Sequence, residues 1–366
     1  MLRVNTIARL LIAAVSVLLL FTYYYKFHFN ELSNSEEIEI KTVKYCFINQ
    51  SGSIHFPRFF EWAKDFHDGR ALVMVNGKYG YIDRTGKYAI APQFDRAICF
   101  SGGLAPVQIN DKYGYIDRVG KIVVSPRFQA ANEFHEELAV VAEDRLYGYI
   151  DKKGNIMVPL HYEYAWPFSE GRAVVISKGK YGFIDRQGRF INEPQYEYAR
   201  PFSEGLASVK LNGRFGFVNR DGIIAISPMY DFAWDFSEGL AIVKSGQRYG
   251  YIDRSGQVAI KPQFDWCWWF KDGLAKIRQG NKCGFIDKSG QVVIPPKYDW
   301  AWDFSEGLAR VQIANKIGYI DRSGRMAIEP KYDWAWDFNE GLAAVSVNAE
   351  SLKPDKDGGK KEYMAY

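Results

Sequence analysis

Cysteine is scarce in this chain and carries no pattern. Cys46, Cys99, Cys267 and Cys283 show no CxxC spacing, which removes the signature of a zinc site and of a disulfide framework. Buried free thiols are the expectation, with a Cys267–Cys283 pair left open. Histidine is equally thin: His28, His55, His67, His135 and His161 stand at unrelated places and assemble neither a metal cluster nor a triad with any one serine. The phosphate loop, the GxSxG elbow and the HExxH helix are all missing. No cofactor and no metal are therefore expected, and the chain does not read as an enzyme. Charge of one sign is also lacking. Lys and Arg alternate with Asp and Glu to a net +4, without the clustered positive charge that a nucleic-acid surface needs.

What the chain has instead is aromatic residues, at 16 %, and 33 glycines, a composition that suits short strands punctuated by turns and not a disordered chain. One column explains the pattern: Gly80, Gly114, Gly148, Gly182, Gly216, Gly250, Gly284 and Gly318 follow one another at 34-residue steps, and Cys46 stands one step earlier in a degraded first copy. Phe66, Phe100, Phe134, Phe168, Phe202, Phe236, Phe270, Phe304 and Phe338 keep the same step. A fixed period of this length marks a repeat architecture in which each unit packs on its neighbour.

The unit Ser237–Phe270 reads SEGLAIVKSGQRYGYIDRSGQVAIKPQFDWCWWF. Alternating apolar residues predict strands over Gly239–Lys244, Arg248–Asp253 and Gln257–Pro262. Asp253 and Gly256 frame a type I turn, and a side chain is missing at Gly250, which permits close approach of a neighbouring strand. Pro262 is expected to end the third strand, and Gln263–Phe270 to close the unit without pairing. The fold class is all-β, with three antiparallel strands per unit. An open β-superhelix is favoured over a closed, propeller-like ring, because nine units are many and 34 residues few for a blade. The ring stays as the alternative, since the last strand, Gly341–Val347, would complete the unit that the N-terminus leaves unfinished.

The recurring (K/R)-(Y/F)-G-(Y/F)-I-D-x-x-G, followed by VIxPxYD and FSEGLAxV, resembles the WG-repeat (KWG-repeat) family over about 300 residues. The residue before the glycine, Trp in the family's name, is here Tyr79, Tyr113, Tyr147, Tyr181, Phe215, Tyr249, Cys283 or Ile317. The GxYIDxxG core is also similar to the hairpin of choline-binding, cell-wall repeats. The resemblance implies a fold type and a binding or scaffolding role, and no reaction.

Residues 1–29 differ from the rest. Arg3 and Arg9 precede the apolar run Leu10–Phe21, and Tyr23, Tyr24 and Tyr25 follow it. That order predicts an uncleaved signal anchor, a transmembrane helix oriented with its N-terminus inside and the repeats on the extracytoplasmic side. Secretion after cleavage is the alternative. Residues 30–42 read as a polar spacer, 43–347 as nine repeat units with the first degenerate, and 348–366 as a polar tail.

All ten tryptophans fall in the closing segment of a unit and crowd toward the C-terminal end. Trp266, Trp268, Trp269, Trp300, Trp302, Trp334 and Trp336 are the candidate ligand-binding residues, an aromatic platform for sugar rings or a quaternary ammonium group. The competing reading has them buried between units. The repeated Asp83, Asp117, Asp151, Asp185, Asp253, Asp287 and Asp321, with Asn219 once, are assigned to turns and not to calcium. The expected function is a membrane-anchored, extracytoplasmic interaction module for a protein or a cell-surface glycan. A structural spacer without a specific ligand and a carbohydrate-active enzyme are the alternatives.

Overall fold

Four strands, not three, make the unit. A computed structural model describes residues 43–348, which form 33 strands from β1 (Val43–Asn49) to β33 (Leu342–Asn348). The segments 1–29 and 30–42, with the signal anchor and transmembrane helix expected there, lie outside the described residues. So does the tail, apart from Asn348, which ends β33. Among the described residues no helix is long and apolar enough to cross a membrane.

In the unit read above, β22 (Leu240–Ser245), β23 (Arg248–Asp253) and β24 (Val258–Phe264) pair antiparallel. The segment expected to be unpaired is divided between two strands. Gln263 and Phe264 end β24, and Trp266–Lys271 form β25, the first strand of the next sheet. Its counterpart β21 (Phe232–Ser237) opens this sheet, so the order is β21-β22-β23-β24. The fourth strand runs through Pro262 because it is an edge strand, where a missing N–H costs no ladder bond. Tyr249 faces Phe264 while Tyr251 faces Ile260, so two extra residues of β24 bulge over Gly250. A Cβ on Gly250 would lie 2.5 Å from the Ile260 carbonyl oxygen and 2.6 Å from the Pro262 nitrogen, which is why a unit with this bulged fourth strand needs glycine here. At the next turn Asp253 Oδ1 accepts from the Ser255 and Gln257 nitrogens at 2.9 and 3.0 Å. Asn219 does the same at its turn, as the turn assignment requires.

The units close into a β-propeller ring, which corrects the preference for an open superhelix. Eight sheets follow one another along the chain, and a ninth is made by its two ends. β1 pairs antiparallel with β33 from Val43↔Asn348 to Asn49↔Leu342. Bridges Ala335↔Val345 and Tyr45↔Phe60 extend that sheet on either side. Closure removes two open edges that a superhelix would expose. The short period suffices because strands of six or seven residues are joined by tight turns, with Glu238 and Gly239 both at positive φ. One unit is irregular: over 164–196 the sheet has three strands, and two isolated bridges, Tyr181↔Tyr196 and Ile184↔Phe190, stand in the fourth place.

The core lies between sheets. Ile242, Tyr249, Tyr251 and Ile260 of one unit pack on Cys267, Phe270, Ala275 and Ile277 of the next. Burying each such aromatic or aliphatic side chain stabilises by about 2 kcal/mol. The four cysteines are buried and free, and Cys267 and Cys283 belong to different clusters. The SEG motif is an inter-unit clasp. Ser237 Oγ donates to the Phe270 carbonyl at 2.6 Å, and Gly273 N donates to Glu238 Oε2 at 3.0 Å. Across the seam Gly69 N donates to Glu340 Oε1 at 3.0 Å. Basic residues of the YIDR turns brace the preceding units. Arg220 reaches Glu170 at 2.7 Å, Lys288 reaches Glu238 at 3.1 Å, and Arg84 reaches the Glu340 carbonyl at 2.7 Å.

Candidate ligand-binding arc

The first strand of each sheet lies where successive sheets converge, β21 beside β25, and so forms the inner ring. It is interrupted at one place. Ala233 faces Val243 and Phe236 faces Ala241, which leaves Trp234 and Asp235 together opposite Ile242. This β-bulge re-aims two side chains out of the ladder. It recurs between Ala63 and Phe66, Ala131 and Phe134, Cys267 and Phe270, and Ala301 and Phe304. The Phe after each bulge is buried in every unit, so scaffold and display alternate within one short stretch. A tyrosine of the preceding sheet fixes the bulge backbone: Tyr251 and Tyr319 hydroxyls donate to the Trp268 and Trp336 carbonyls at 2.6 and 2.7 Å.

The bulges carry Trp234-Asp235, Trp268-Trp269 and Trp302-Asp303 in three consecutive units, and Trp336-Asp337 holds the same place in the fourth. Each of the first three indoles holds a cation of the chain itself. The Arg200 guanidinium lies 4.5 Å from the Trp234 ring centre and grips Asp235 with two 2.7 Å bonds. Lys276 Nζ lies 3.9 Å from the Trp268 centre and 5.0 Å from that of Trp300, and donates to the Ala301 carbonyl at 2.7 Å. Arg310 lies 4.5 Å from the Trp302 centre and donates to Asp337 and to the Ala335 carbonyl, both at 2.6 Å. At the seam Trp336 Nε1 donates to the Ala63 carbonyl at 3.0 Å.

Lys276 and Arg310 are almost fully buried, which is affordable for a charge only with partners. Burial pushes the Lys276 ammonium down to about 8, with Asp303 acting the other way. Burial raises Asp303, and Lys276 and Lys271 offset part of that rise. The arc is thus a low-dielectric strip of indoles with cations and carboxylates set between them.

The three units that follow across the seam have another chemistry on the same backbone. Lys64-Asp65 and Asn132-Glu133 occupy the bulges, and Ile98-Cys99 the same place between them. His67 Nε2 lies 3.4 Å from Asp65 Oδ2, and that contact raises the imidazole above its usual range. Burial pushes Cys99 up to about 11. Among the described residues no set of three or more His, Cys, Asp and Glu side chains is placed to hold a metal ion.

The seven tryptophans singled out in the sequence fall into three touching groups. Trp266, Trp268, Trp300 and Trp302 form a run with ring centres 5.5 to 6.5 Å apart. Trp269 meets Trp234 at 6.3 Å, and Trp334 meets Trp336, which touches Trp62 across the seam at 6.4 Å. Trp269 is 37 % exposed and the other six are half-buried, so the two readings of the tryptophans divide by atom. Sequence reasoning missed Arg200, Lys276 and Arg310. A signal existed for two of them: the column Leu72, Pro106, Val140, Val174, Ser208, Ile242, Lys276, Arg310, Ala344 is apolar except where it supplies a polar group.

A family profile described as the WG containing repeat matches nine consecutive segments: residues 45–79, 79–113, 113–146, 147–181, 181–215, 215–249, 249–283, 284–316 and 317–349. A search of curated proteins finds no match. Among solved structures, the crystal structure of a eukaryotic initiation factor is 12 % identical with a TM-score of 0.52, covering 75 % of this chain and 86 % of that one. Hsv2p of Kluyveromyces lactis is 11 % identical with a TM-score of 0.38, covering 61 % of this chain and 92 % of that one. At such identity the first likeness is one of fold alone.

Proposed function

The chain belongs to the WG containing repeat family, and from that premise we propose that it is a non-catalytic interaction module. Its inner tryptophan arc holds a partner, a protein or a cell-surface glycan. The observation that carries this reading is the bulge. A kink that recurs in five units takes two side chains out of the core ladder, and in three successive units, with the same place in a fourth, these include half-buried indoles. Indoles needed only for packing would sit where Phe236, Phe270 and Phe304 sit, in the dry space between sheets. The carboxylates Asp235 and Asp337 are engaged by Arg200 and Arg310, which favours recognition over acid–base turnover. The basic, apolar and tyrosine-rich order of residues 1–29 supports anchoring in a membrane with the ring on the extracytoplasmic side.

The test compares full-length wild type with Trp268→Ala and Trp302→Ala in pull-downs from cell-envelope material, alongside thermal melts. Loss of capture at a nearly unchanged midpoint is the expected result. Unchanged capture in both variants, or no enriched partner for wild type, leaves a structural spacer. Resistance to alkaline extraction together with protease accessibility in intact cells tests the anchoring and the orientation.

A further inference from the structure

We infer that the partner chemistry of the tryptophan arc is that of an uncharged, hydroxyl-rich oligosaccharide; this rests on the arc being the binding surface. Trp234, Trp268 and Trp302 each carry an internal cation within 4.5 Å of the ring centre. The attraction between a cation and an indole face comes from the ring quadrupole. A quaternary ammonium ligand would have to compete for indole quadrupoles that internal cations already engage. The cage for a ligand cation is therefore filled by the chain itself.

An anion fares no better. Arg200 is committed to Asp235 through Nε and Nη2 and to the Tyr198 hydroxyl through Nη1, Arg310 to Asp337 and a carbonyl, and Lys276 to the Ala301 carbonyl. Three cations and three carboxylates, counting Asp303, alternate along the arc and cancel. What remains open is the outer lone pairs of Asp235 and Asp337, whose side chains are 25 % and 35 % exposed, and the free faces and edges of the indoles, most of all Trp269. Carboxylate oxygens accept strongly from hydroxyl donors, and an aromatic face takes the apolar side of a sugar ring. A neutral saccharide supplies both and brings no charge to desolvate.

The test is a titration of the full-length protein, followed by tryptophan fluorescence and calorimetry, with four kinds of probe. These are a panel of neutral hexasaccharides (cello-, manno- and N-acetylchito-), hexagalacturonate, tetramethylammonium chloride and phosphocholine. Saturable binding of a neutral hexasaccharide is expected, at least tenfold tighter than any charged probe and weakened at least tenfold in Asp337→Asn, which keeps the shape of the side chain. Arg200→Met should unmask the Trp234 face beside Asp235 and gain saturable tetramethylammonium binding, a change that loss of folding cannot imitate. Tighter binding of hexagalacturonate, tetramethylammonium or phosphocholine by wild type overturns the inference. So does a silent neutral panel: if arc variants still lose their envelope partner, only the saccharide assignment falls, and if they do not, the proposed function falls with it.

Discussion

Two arcs of one inner ring carry opposite chemistry on the same backbone. From Lys64 to Glu133 the bulge positions hold Lys-Asp, Ile-Cys and Asn-Glu, and from Trp234 to Asp337 they hold Trp-Asp, Trp-Trp, Trp-Asp and Trp-Asp. The buried Phe that follows is the same throughout. So are the glycine under the fourth strand and the SEG clasp in most units. The difference teaches that the unit separates what folds it from what it displays. Ladder, clasp and inter-sheet core fix the position of the bulge. The bulge pair is then free to vary, because neither member is opposed by its own partner in the ladder. Chemistry in this ring is a property of where around the circle one stands.

If scaffold and display are separable, breaking the scaffold must be equally damaging in either arc. A Cβ on Gly114 would stand 2.4 Å from the Val124 carbonyl oxygen, and one on Gly284 would stand 2.4 Å from that of Ile294. Both contacts are with backbone, which cannot move aside without opening the fourth strand. Gly114→Ala and Gly284→Ala are each expected to cost more than about 3 kcal/mol and to leave little folded protein, as read by denaturant melts and far-ultraviolet dichroism. A tolerated substitution in one arc alone would mean that the two do not share a scaffold.

The scaffold was also the legible part of the chain. Repeat length, strand positions, the Asp turns and the need for a bare Gly250 followed from periodicity and turn chemistry, because these are local effects written in adjacent residues. The first strand was missed because its residues, Phe232–Ser237 and their equivalents, do not alternate. A bulge shifts the period mid-strand, so Ala233 and Phe236 are both buried with two half-buried residues between them. Closure was misjudged for a different reason. The choice between ring and superhelix depends on the angle accumulated over nine sheet-to-sheet contacts, and no residue states that angle. Of the site, the tryptophans were visible as a column, whereas the role of the cations beneath them was not: Lys276 and Arg310 break an otherwise largely apolar column, but only the folded sheets bring them against the indoles.

Lys276 offers the next largest effect and exists only in the aromatic arc. In the unfolded chain this amine keeps its proton up to about pH 10.5, and in the fold only up to about 8. Between those values the unfolded state binds more protons, so stability rises with pH; the burden of the buried charge is complete below about 8 and relieved above. Asp303 and Cys283 face it, and Lys276 holds both lower than burial alone would, an effect that Lys276→Met removes together with the charge. Relative to that variant, wild type should therefore gain about 3 kcal/mol between pH 8 and 10.5 in urea melts. A flat difference across that window would show that the charge is already well solvated.

Exchanging the display should cost far less. Asn132 is exposed, and Ala131 and Phe134 on either side of its bulge pair are buried as in every bulged unit. Replacing Asn132-Glu133 by Trp-Asp is expected to change stability by less than about 1 kcal/mol. Near-ultraviolet dichroism should register an ordered added indole. A large loss of stability would make the bulge pair part of the scaffold after all.

The smallest effect lies in the turn that both arcs share. Asp321 Oδ1 accepts from the Ser323 nitrogen and hydroxyl at 2.8 and 2.6 Å and from the Arg325 nitrogen at 3.1 Å, and Oδ2 takes the Arg325 side chain at 3.0 Å. The Ser323 hydroxyl leads these donors in holding its carboxyl down to about 2. Asn219 makes the two backbone bonds without charge, so Asp321→Asn loses only the charge-assisted part. A carboxyl depressed in the fold contributes stability that is present above its unfolded value near 3.8 and is lost as the pH falls through about 2. The midpoint at pH 7 should fall by no more than about 2 °C, and wild type and variant should converge on acidification from pH 4 to 2. A gap that widens on adding calcium at pH 7, or that persists at pH 2, would assign these aspartates a duty beyond the turn.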